Sequence, residues 1–190
     1  MTLSDDLATM CGVWHDRLSA NDTAGSPLDH DPHGGVPGPF PYENLVYVSF
    51  DSSTGAYTQT NVTFRGREPH SRTFEADVAD GVLRFRRLGP EAPRHVGISA
   101  GPGLIWFVSE STLDDGLRRY CEPDFIRVDG DRRTRDTVLW RNGELVRTLH
   151  VEGTRLSADP GHRHPLDPRG ADGPVHESRS STDQYLKEQS

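Results

Sequence analysis

The chain has 190 residues and a formal net charge of -8, a size that suits a single domain. No stripe or run of basic residues occurs, which argues against a nucleic-acid partner, because phosphate binding needs clustered Lys and Arg. No apolar run approaches the roughly 18 residues of a membrane-spanning helix, so no membrane partner is expected.

The chain ends and the cysteines indicate a compartment. Met1 to Asp6 carries acidic residues where a secretory signal carries Lys or Arg, so we expect a cytoplasmic protein. Cys11 and Cys121 are then expected to be free thiols. Lys187 is the single lysine beside many arginines, which indicates the codon bias of a high-GC bacterium.

The first elements in chain order are a short helix, a strand and a long loop. Leu3, Leu7 and Met10 recur at helical spacing behind a possible N-cap at Ser4, which predicts a helix over 3–10. A first strand follows from Cys11. Five Gly or Pro residues within 34–39 then predict a long loop over 21–41, placed as a lid.

From Asn44 onward, short β-rich runs alternate with turn signals. Asp80-Gly81 and Asn142-Gly143 are tight hairpin turns of the kind that needs positive φ. Eight to ten strands without a second helix predict an all-β fold, a single antiparallel up-and-down barrel, with a two-sheet sandwich as the alternative. We assign 1–157 to the barrel domain and 158–190 to an irregular or disordered tail. The predicted strands after the loop cover 45–50, 57–65, 72–78, 82–88, 94–99, 104–110, 117–121, 125–128, 134–141 and 145–151.

Two short motifs at the ends of this meander resemble the lipocalins and the wider calycin superfamily. Gly12-Val13-Trp14 matches the Gly-x-Trp motif that opens such barrels, and Arg155 stands where an arginine packs over that tryptophan. The superfamily's middle Thr-Asp-Tyr motif is absent, so the chain resembles an outlying bacterial member. The resemblance implies structural roles for Trp14 and Arg155 and a barrel that encloses one small ligand.

Four residues are candidates for proton transfer. His150 and Glu152 share one face of the last strand, and they form the best acid–base pair if that face is interior. His15 follows Trp14 and has an unperturbed pKa suited to neutral pH, although a surface histidine is the alternative. Tyr120 shares a face with Glu122 and completes the catalytic candidates.

A second set of residues is suited to a ligand rather than to chemistry. Aromatic side chains in the strands favour a pocket for a flat or conjugated molecule, although the same side chains are also the usual filling of small barrels. An inward Arg84 would bind a carboxylate, whereas an outward position is the default for a charged residue. The aromatic candidates are Tyr47, Tyr57, Phe85, Trp106 and Trp140.

No cofactor or metal is expected. The histidines of 30–33 and 162–164 lie in Pro/Gly-rich loops, and no serine-hydrolase elbow, phosphate loop or dinucleotide fingerprint occurs. These observations favour a cofactor-independent cyclase, isomerase or lyase of bacterial secondary metabolism that binds a small, largely apolar or conjugated metabolite. The alternatives are a non-catalytic carrier of such a molecule and a protein-interaction module. The sequence leaves monomer and homodimer open.

Overall fold

A computed structural model describes residues 2–30, 38–65, 68–87, 93–112 and 118–169. Within them, one helix precedes ten strands that close into an antiparallel barrel, which confirms the predicted architecture and helix. No described helix is long and apolar enough to cross a membrane. The elements are α1 Leu3–Met10, β1 Gly12–Asn21, β2 Tyr42–Asp51, β3 Ala56–Phe64, β4 His70–Ala79, β5 Val82–Phe85, β6 Arg94–Gly101, β7 Leu104–Thr112, β8 Arg118–Asp129, β9 Arg132–Arg141 and β10 Glu144–Ser157.

Each strand pairs with its sequence neighbours, and β1 closes the barrel by pairing with β10. The two predicted hairpin turns carry the expected backbone, with φ of 54° at Asp80 and 50° at Asn142. One end of the barrel, the floor, holds α1 and the turn at Asp80. The other end, the mouth, holds the turn at Asn142 and the loop between β1 and β2.

Strand β8 runs unbroken through Pro123, where the sequence predicted two strands. Proline lacks the N–H that a sheet ladder uses, which is the reason for the predicted break. In the structure, the Thr137 hydroxyl donates to the Pro123 carbonyl over 2.9 Å. This side-chain bond supports the ladder where the backbone pairing between Cys121 and Asp124 lapses.

Helix α1 plugs the floor. Its side chains Leu7 and Met10 are fully buried in the main core. Thr2, rather than the predicted Ser4, caps the helix by accepting from the Asp5 backbone N–H. The buried Asp6 carboxylate accepts hydrogen bonds from Ser99 and from the Gly103 backbone at 2.5 and 2.8 Å, which fixes the helix to the β6–β7 hairpin.

Trp14 lies fully buried between two guanidinium groups. Those of Arg155 and Arg133 are 4.5 and 4.8 Å from the centroid of its ring. Its indole N–H donates to the Met10 carbonyl over 2.8 Å, and Arg155 donates to the Thr9 carbonyl. Such cation–π contacts contribute about 0.5–2 kcal/mol each. The Trp14–Arg155 contact is the one that the lipocalin resemblance implies.

Residues 158–169 of the predicted tail pack against the outer face of the barrel, and the remainder of 158–190 lies outside the described residues. The Tyr47 ring lies under the guanidinium groups of Arg163 and Arg169, 5.4 and 4.5 Å from its centroid. Asp167 is buried there and receives hydrogen bonds from Arg169 at 2.9 and 2.6 Å. Through Tyr47 this segment meets an outer apolar cluster of Val13, Leu45, Tyr47 and Val62.

We expect acid to release this segment. Burial opposes ionisation of Asp167, but the hydrogen bonds from Arg169 and Tyr47 outweigh it and lower its pKa to about 2. A carboxyl whose pKa is lowered by folding stabilises the fold at pH values above its ordinary pKa of 3.8. That stabilisation is lost as the pH falls from about 4 towards 2. The amides of residues 158–169 should therefore lose their protection against hydrogen exchange, measured relative to the intrinsic exchange rate at each pH, in this window. In Asp167→Asn they should be unprotected at every pH; an unchanged protection profile would contradict the assignment.

Candidate ligand-binding site

The interior of the barrel is mainly apolar in its floor half, apart from the buried pair of Asp16 and Arg133, whereas its mouth half carries many polar side chains beside the apolar cluster around Phe40. In the floor half, Trp14, Leu83 and Ile105 form part of the core that α1 seals. Gly97 leaves room for a ring there, since a Cβ at this position would lie 2.8 Å from the Phe107 ring. Strand register assigns a different set of side chains to the mouth half, namely Gln59, Asn61, Arg72, Phe74, Phe85, His95, Tyr120, Glu122, Asp124, Arg135 and Arg147.

One wall of the mouth half is aromatic. His95 stacks on Phe85 with ring centroids 4.1 Å apart, and Phe74 and Phe107 meet Phe85 at 6.4 and 6.0 Å. Burial and the positive charges of Arg135 and Arg72 lower the pKa of His95 to about 4, against the opposing effect of Glu122. His95 is therefore neutral near pH 7, and the wall is flat and uncharged.

The opposite wall, formed by β8, β9 and β10, is charged. Arg135 donates to both oxygens of Asp124, at 3.0 and 2.8 Å. Arg147 lies 3.6 Å from Glu122, which accepts a hydrogen bond from the Tyr120 hydroxyl. Burial, with the charge of Glu122, raises the pKa of Tyr120 above its ordinary value, so the phenol stays protonated and donates.

Several of these inward side chains keep part of their solvent-accessible surface. His95, Tyr120, Glu122 and Arg135 are half-buried although register turns them into the barrel. A filled core would leave such side chains fully buried, as Trp14 is. We call this solvent-accessible part of the mouth half the hollow; its two walls are unlike, as is typical of small-molecule sites.

The described parts of the loop between β1 and β2 lie across the mouth. Phe40 is buried against the inward side chains Leu18 and Leu149. The Arg65 guanidinium lies 4.4 Å from the centroid of the Phe40 ring and donates to the Gly38 carbonyl over 2.9 Å. Residues 31–37 of the predicted lid lie outside the described residues.

Three of the residues predicted for the site face the barrel interior. Tyr120 and Phe85 line the mouth half, on its charged and aromatic walls respectively. Tyr57 lies below them in the main core, fully buried and in edge contact with Phe85 at 5.8 Å. The Tyr57 hydroxyl donates to Gln59 over 2.8 Å, which starts a polar chain from the core towards Asn61.

Four residues predicted to bind the ligand face outwards, which corrects that part of the prediction. Strand alternation decides each case, because their chain neighbours Val46, Ile105, Leu139 and Leu83 occupy the interior. Trp106 stacks on the exposed Phe125 at 6.3 Å, and Arg84 is exposed and donates to the Ala79 carbonyl. The four outward residues are Tyr47, Trp106, Trp140 and Arg84.

The histidines chosen as catalytic candidates also face outwards, as does Glu152. His15 lies 3.2 Å from the Glu43 carboxylate on the outer surface. His150 Nδ1 lies 2.6 Å from Asp136, and Glu152 is 4.0 Å from His150 Nε2. The inward residues of β10 are Arg147, Leu149 and Val151, so His150 and Glu152 cannot act inside the barrel.

The groups that sequence reasoning missed are the inward arginines, Arg72, Arg135 and Arg147, with His95. Sequence reasoning assigns a charged or polar residue to the solvent by default, and it therefore did not place these four side chains inside the barrel. One signal was present for β8, where Tyr120, Glu122 and Asp124 share the parity of the apolar Ile126. Among the described residues, no three His, Cys, Asp or Glu side chains are grouped as a metal site.

Comparisons with known proteins support the fold. No family model matches the sequence, and no curated protein matches it. A protein of unknown function of the DUF3598 family from Nostoc punctiforme is 17% identical with a TM-score of 0.56, covering 78% of this chain, which spans only 48% of that structure. The S-type phycobiliprotein lyase CPES from Guillardia theta is 10% identical with a TM-score of 0.55, covering 82% of this chain and 93% of the lyase.

A third structure, Rv2717c from M. tuberculosis, is 17% identical with a TM-score of 0.51 and covers 82% of this chain and 98% of its own. At these identities the similarity is one of fold alone. The chain has a lipocalin-like barrel fold.

Proposed function

We propose that the protein binds a small organic anion with a flat or conjugated body in the mouth half of its barrel. The observation that carries the proposal is the sign of the interior charge. Among the described residues there, three guanidinium groups, of Arg72, Arg135 and Arg147, face the two carboxylates of Glu122 and Asp124. A positive hollow inside a chain of net charge -8 is suited to an anion, because guanidinium groups bind carboxylates and sulfonates through paired hydrogen bonds.

The aromatic wall supplies the second half of the argument. A ring or conjugated chain fits against Phe74, Phe85 and the neutral His95, while its acidic group meets the arginines opposite. The ligand is then amphipathic rather than largely apolar. A fold similar to that of a phycobiliprotein lyase supports a small-molecule role, and we further propose that the chain is an outlying calycin.

Paired fluorescent probes test this function. We expect 1-anilinonaphthalene-8-sulfonate to bind at least tenfold more tightly than N-phenyl-1-naphthylamine, which lacks the sulfonate. Arg72 is exposed at the mouth and stacks on Phe74 at 4.6 Å, so Arg72→Gln should weaken binding of the anionic probe several-fold without unfolding the barrel. Fluorescence titration gives both affinities.

Arg84→Gln is the matched control, because Arg84 is an exposed arginine on the outer face. Binding of the anionic probe should be unchanged in this variant. Equal affinity for the two probes, or equal losses in Arg72→Gln and Arg84→Gln, would refute the proposed interior anion site.

A cofactor-independent enzyme acting on the same ligand is the second candidate. The hydrogen bond from Tyr120 to Glu122 inside the hollow favours it, because a half-buried phenol beside a carboxylate is able to pass a proton to or from a bound molecule. Cyclisation, isomerisation and elimination all need such a transfer. In this case Tyr120→Phe would abolish turnover while leaving affinity for the anionic probe within about twofold.

A further inference from the structure

Three hydrogen-bonded side chains, which we call the polar row, run along the inner face of β3 towards the mouth. Tyr57, Gln59 and Asn61 are two residues apart on one strand, so they share the inward face. The Tyr57 hydroxyl donates to Gln59 Oε1 over 2.8 Å, and Gln59 Nε2 donates to Asn61 Oδ1 over 2.9 Å. Tyr57 is 1% exposed, whereas Gln59 and Asn61 are half-buried, so the polar row leads from the core into the hollow.

The buried end of the polar row sets the direction of its hydrogen bonds. A phenol O–H group that is buried without an acceptor is strongly unfavourable. Gln59 Oε1 is the acceptor for the Tyr57 hydroxyl, and burial raises the pKa of Tyr57 above its ordinary value, so the hydroxyl keeps its proton and donates. The Gln59 amide is thereby held with its oxygen towards Tyr57 and its nitrogen towards Asn61. A reversed amide would leave the phenol proton without this acceptor.

The last member of the polar row therefore presents a donor to the hollow. Asn61 Oδ1 accepts from Gln59, so the amide nitrogen of Asn61, on the other branch of the same planar group, points away from Gln59 with its two N–H groups. Gln59 is the register partner of Phe74, so the polar row borders the aromatic wall. In the ring of ten strands, β3 is diametrically opposite β8, whose inward side chains belong to the charged wall.

We propose that the ligand carries a neutral hydrogen-bond acceptor, such as a ketone oxygen, at the end opposite its acidic group, and that Asn61 selects it. This inference rests on the proposed anion site and narrows its ligand to flat acids with a carbonyl group at the far end. The acidic group meets Arg135 and Arg147, the flat body lies against the aromatic wall, and the carbonyl oxygen accepts from Asn61. Arg72, the register partner of Asn61, adds positive charge on the same side, which favours an acceptor over a donor.

Two naphthoates of the same shape test the selection. 6-Acetyl-2-naphthoate carries the ketone, and in 6-isopropenyl-2-naphthoate a CH2 group replaces the ketone oxygen. The parent protein should bind the ketone roughly three- to tenfold more tightly, as is typical of one neutral hydrogen bond. In Asn61→Leu this preference should vanish, while affinity for the isopropenyl probe, which makes no such bond, stays within about twofold. Isothermal titration calorimetry gives the affinities, and circular dichroism verifies that each variant is folded.

Tyr57→Phe tests the polar row itself, in which Tyr57 is a positioning residue that acts through Gln59. Without the phenol proton, the two amides are able to reverse, and Asn61 then offers its oxygen as well as its nitrogen. Relative to the ketone, 6-amino-2-naphthoate, which offers donors instead, should gain roughly threefold in affinity. A general loosening of the barrel would not change selectivity in this way. Thr58→Val is the matched control on the outward face of β3, and it should leave every affinity ratio unchanged.

The possible outcomes separate selection by Asn61 from the anion site. Three results would overturn the selection and leave the anion site in place: equal affinity of the parent for the acetyl and isopropenyl probes, a preference that persists in Asn61→Leu, or equal losses of both probes in that variant. Affinities of the naphthoates no higher than that of 2-isopropenylnaphthalene, which lacks the carboxylate, would overturn both proposals.

Discussion

Asp16→Asn is expected to lower the free energy of unfolding by about 3–5 kcal/mol, as is typical when one partner of a buried ion pair is removed. Asp16 accepts two hydrogen bonds from Arg133, at 3.0 and 2.6 Å, and their side chains are 8% and 6% exposed. The substitution leaves the Arg133 guanidinium buried beside the Trp14 ring without its counter-charge. Urea denaturation followed by tryptophan fluorescence measures the change.

Asp131→Asn is the matched control, since Asp131 is 81% exposed and lies 3.7 Å from Arg155 in a surface pair. Ion pairs with an exposed partner contribute little to the free energy of unfolding, so the urea midpoint of Asp131→Asn should stay close to that of the parent protein. Gly153→Ala should reproduce the defect of Asp16→Asn, because a Cβ there would lie 2.6 Å from Arg133 Cγ. Equal urea midpoints for Asp16→Asn and Asp131→Asn would show that the buried ion pair of Asp16 and Arg133 does not stabilise the fold.

The elements that sequence predicted well are those with local causes. Positive-φ turns at Asp80 and Asn142 depend on two residues each, and they fixed the hairpins and hence the meander. The helix over 3–10 follows from the spacing of Leu3, Leu7 and Met10. Closure of the barrel followed from the number of strands, and the Trp14–Arg155 contact was implied by a family resemblance.

The inward faces could not be predicted, because both faces of several strands are partly apolar. Tyr47 and Leu45 lie in an outer apolar cluster that Tyr47 joins to the segment 158–169, and Trp106 packs outside on Phe125. The apolar character of these side chains therefore predicted that they are buried, but it did not predict whether they lie inside or outside the barrel. The interior charges depend on partners distant in sequence, and Asp16 meets Arg133 across 117 positions, which no local pattern reveals.

These long-range charge pairs also set the balance inside the mouth half. Each carboxylate there holds a guanidinium group that a bound anion would otherwise contact. Neutralising a carboxylate should therefore strengthen anion binding, whereas removing an arginine weakens it. If these two substitutions change the affinity for the anion in opposite directions, the site binds by electrostatic attraction and not only through its apolar surface.

Glu122→Gln is accordingly expected to tighten binding of 1-anilinonaphthalene-8-sulfonate about tenfold, which is about 1.4 kcal/mol. The Gln amide oxygen still accepts from Tyr120, while Arg147, 3.6 Å from Glu122, loses its competing negative charge. Fluorescence titration at about 0.05 and 0.5 M salt measures the gain, which should largely persist because buried charges are poorly screened.

Glu75→Gln provides the control for that gain. Glu75 is a 55% exposed carboxylate on the outer face of β4, paired with Arg86 at 2.8 Å, so its removal makes the same change in net charge outside the hollow. A tenfold gain in Glu122→Gln and none in Glu75→Gln places the anion beside Arg147 rather than in the general field of the protein. Equal small gains in both, fading at high salt, would instead show that the probe responds only to net charge.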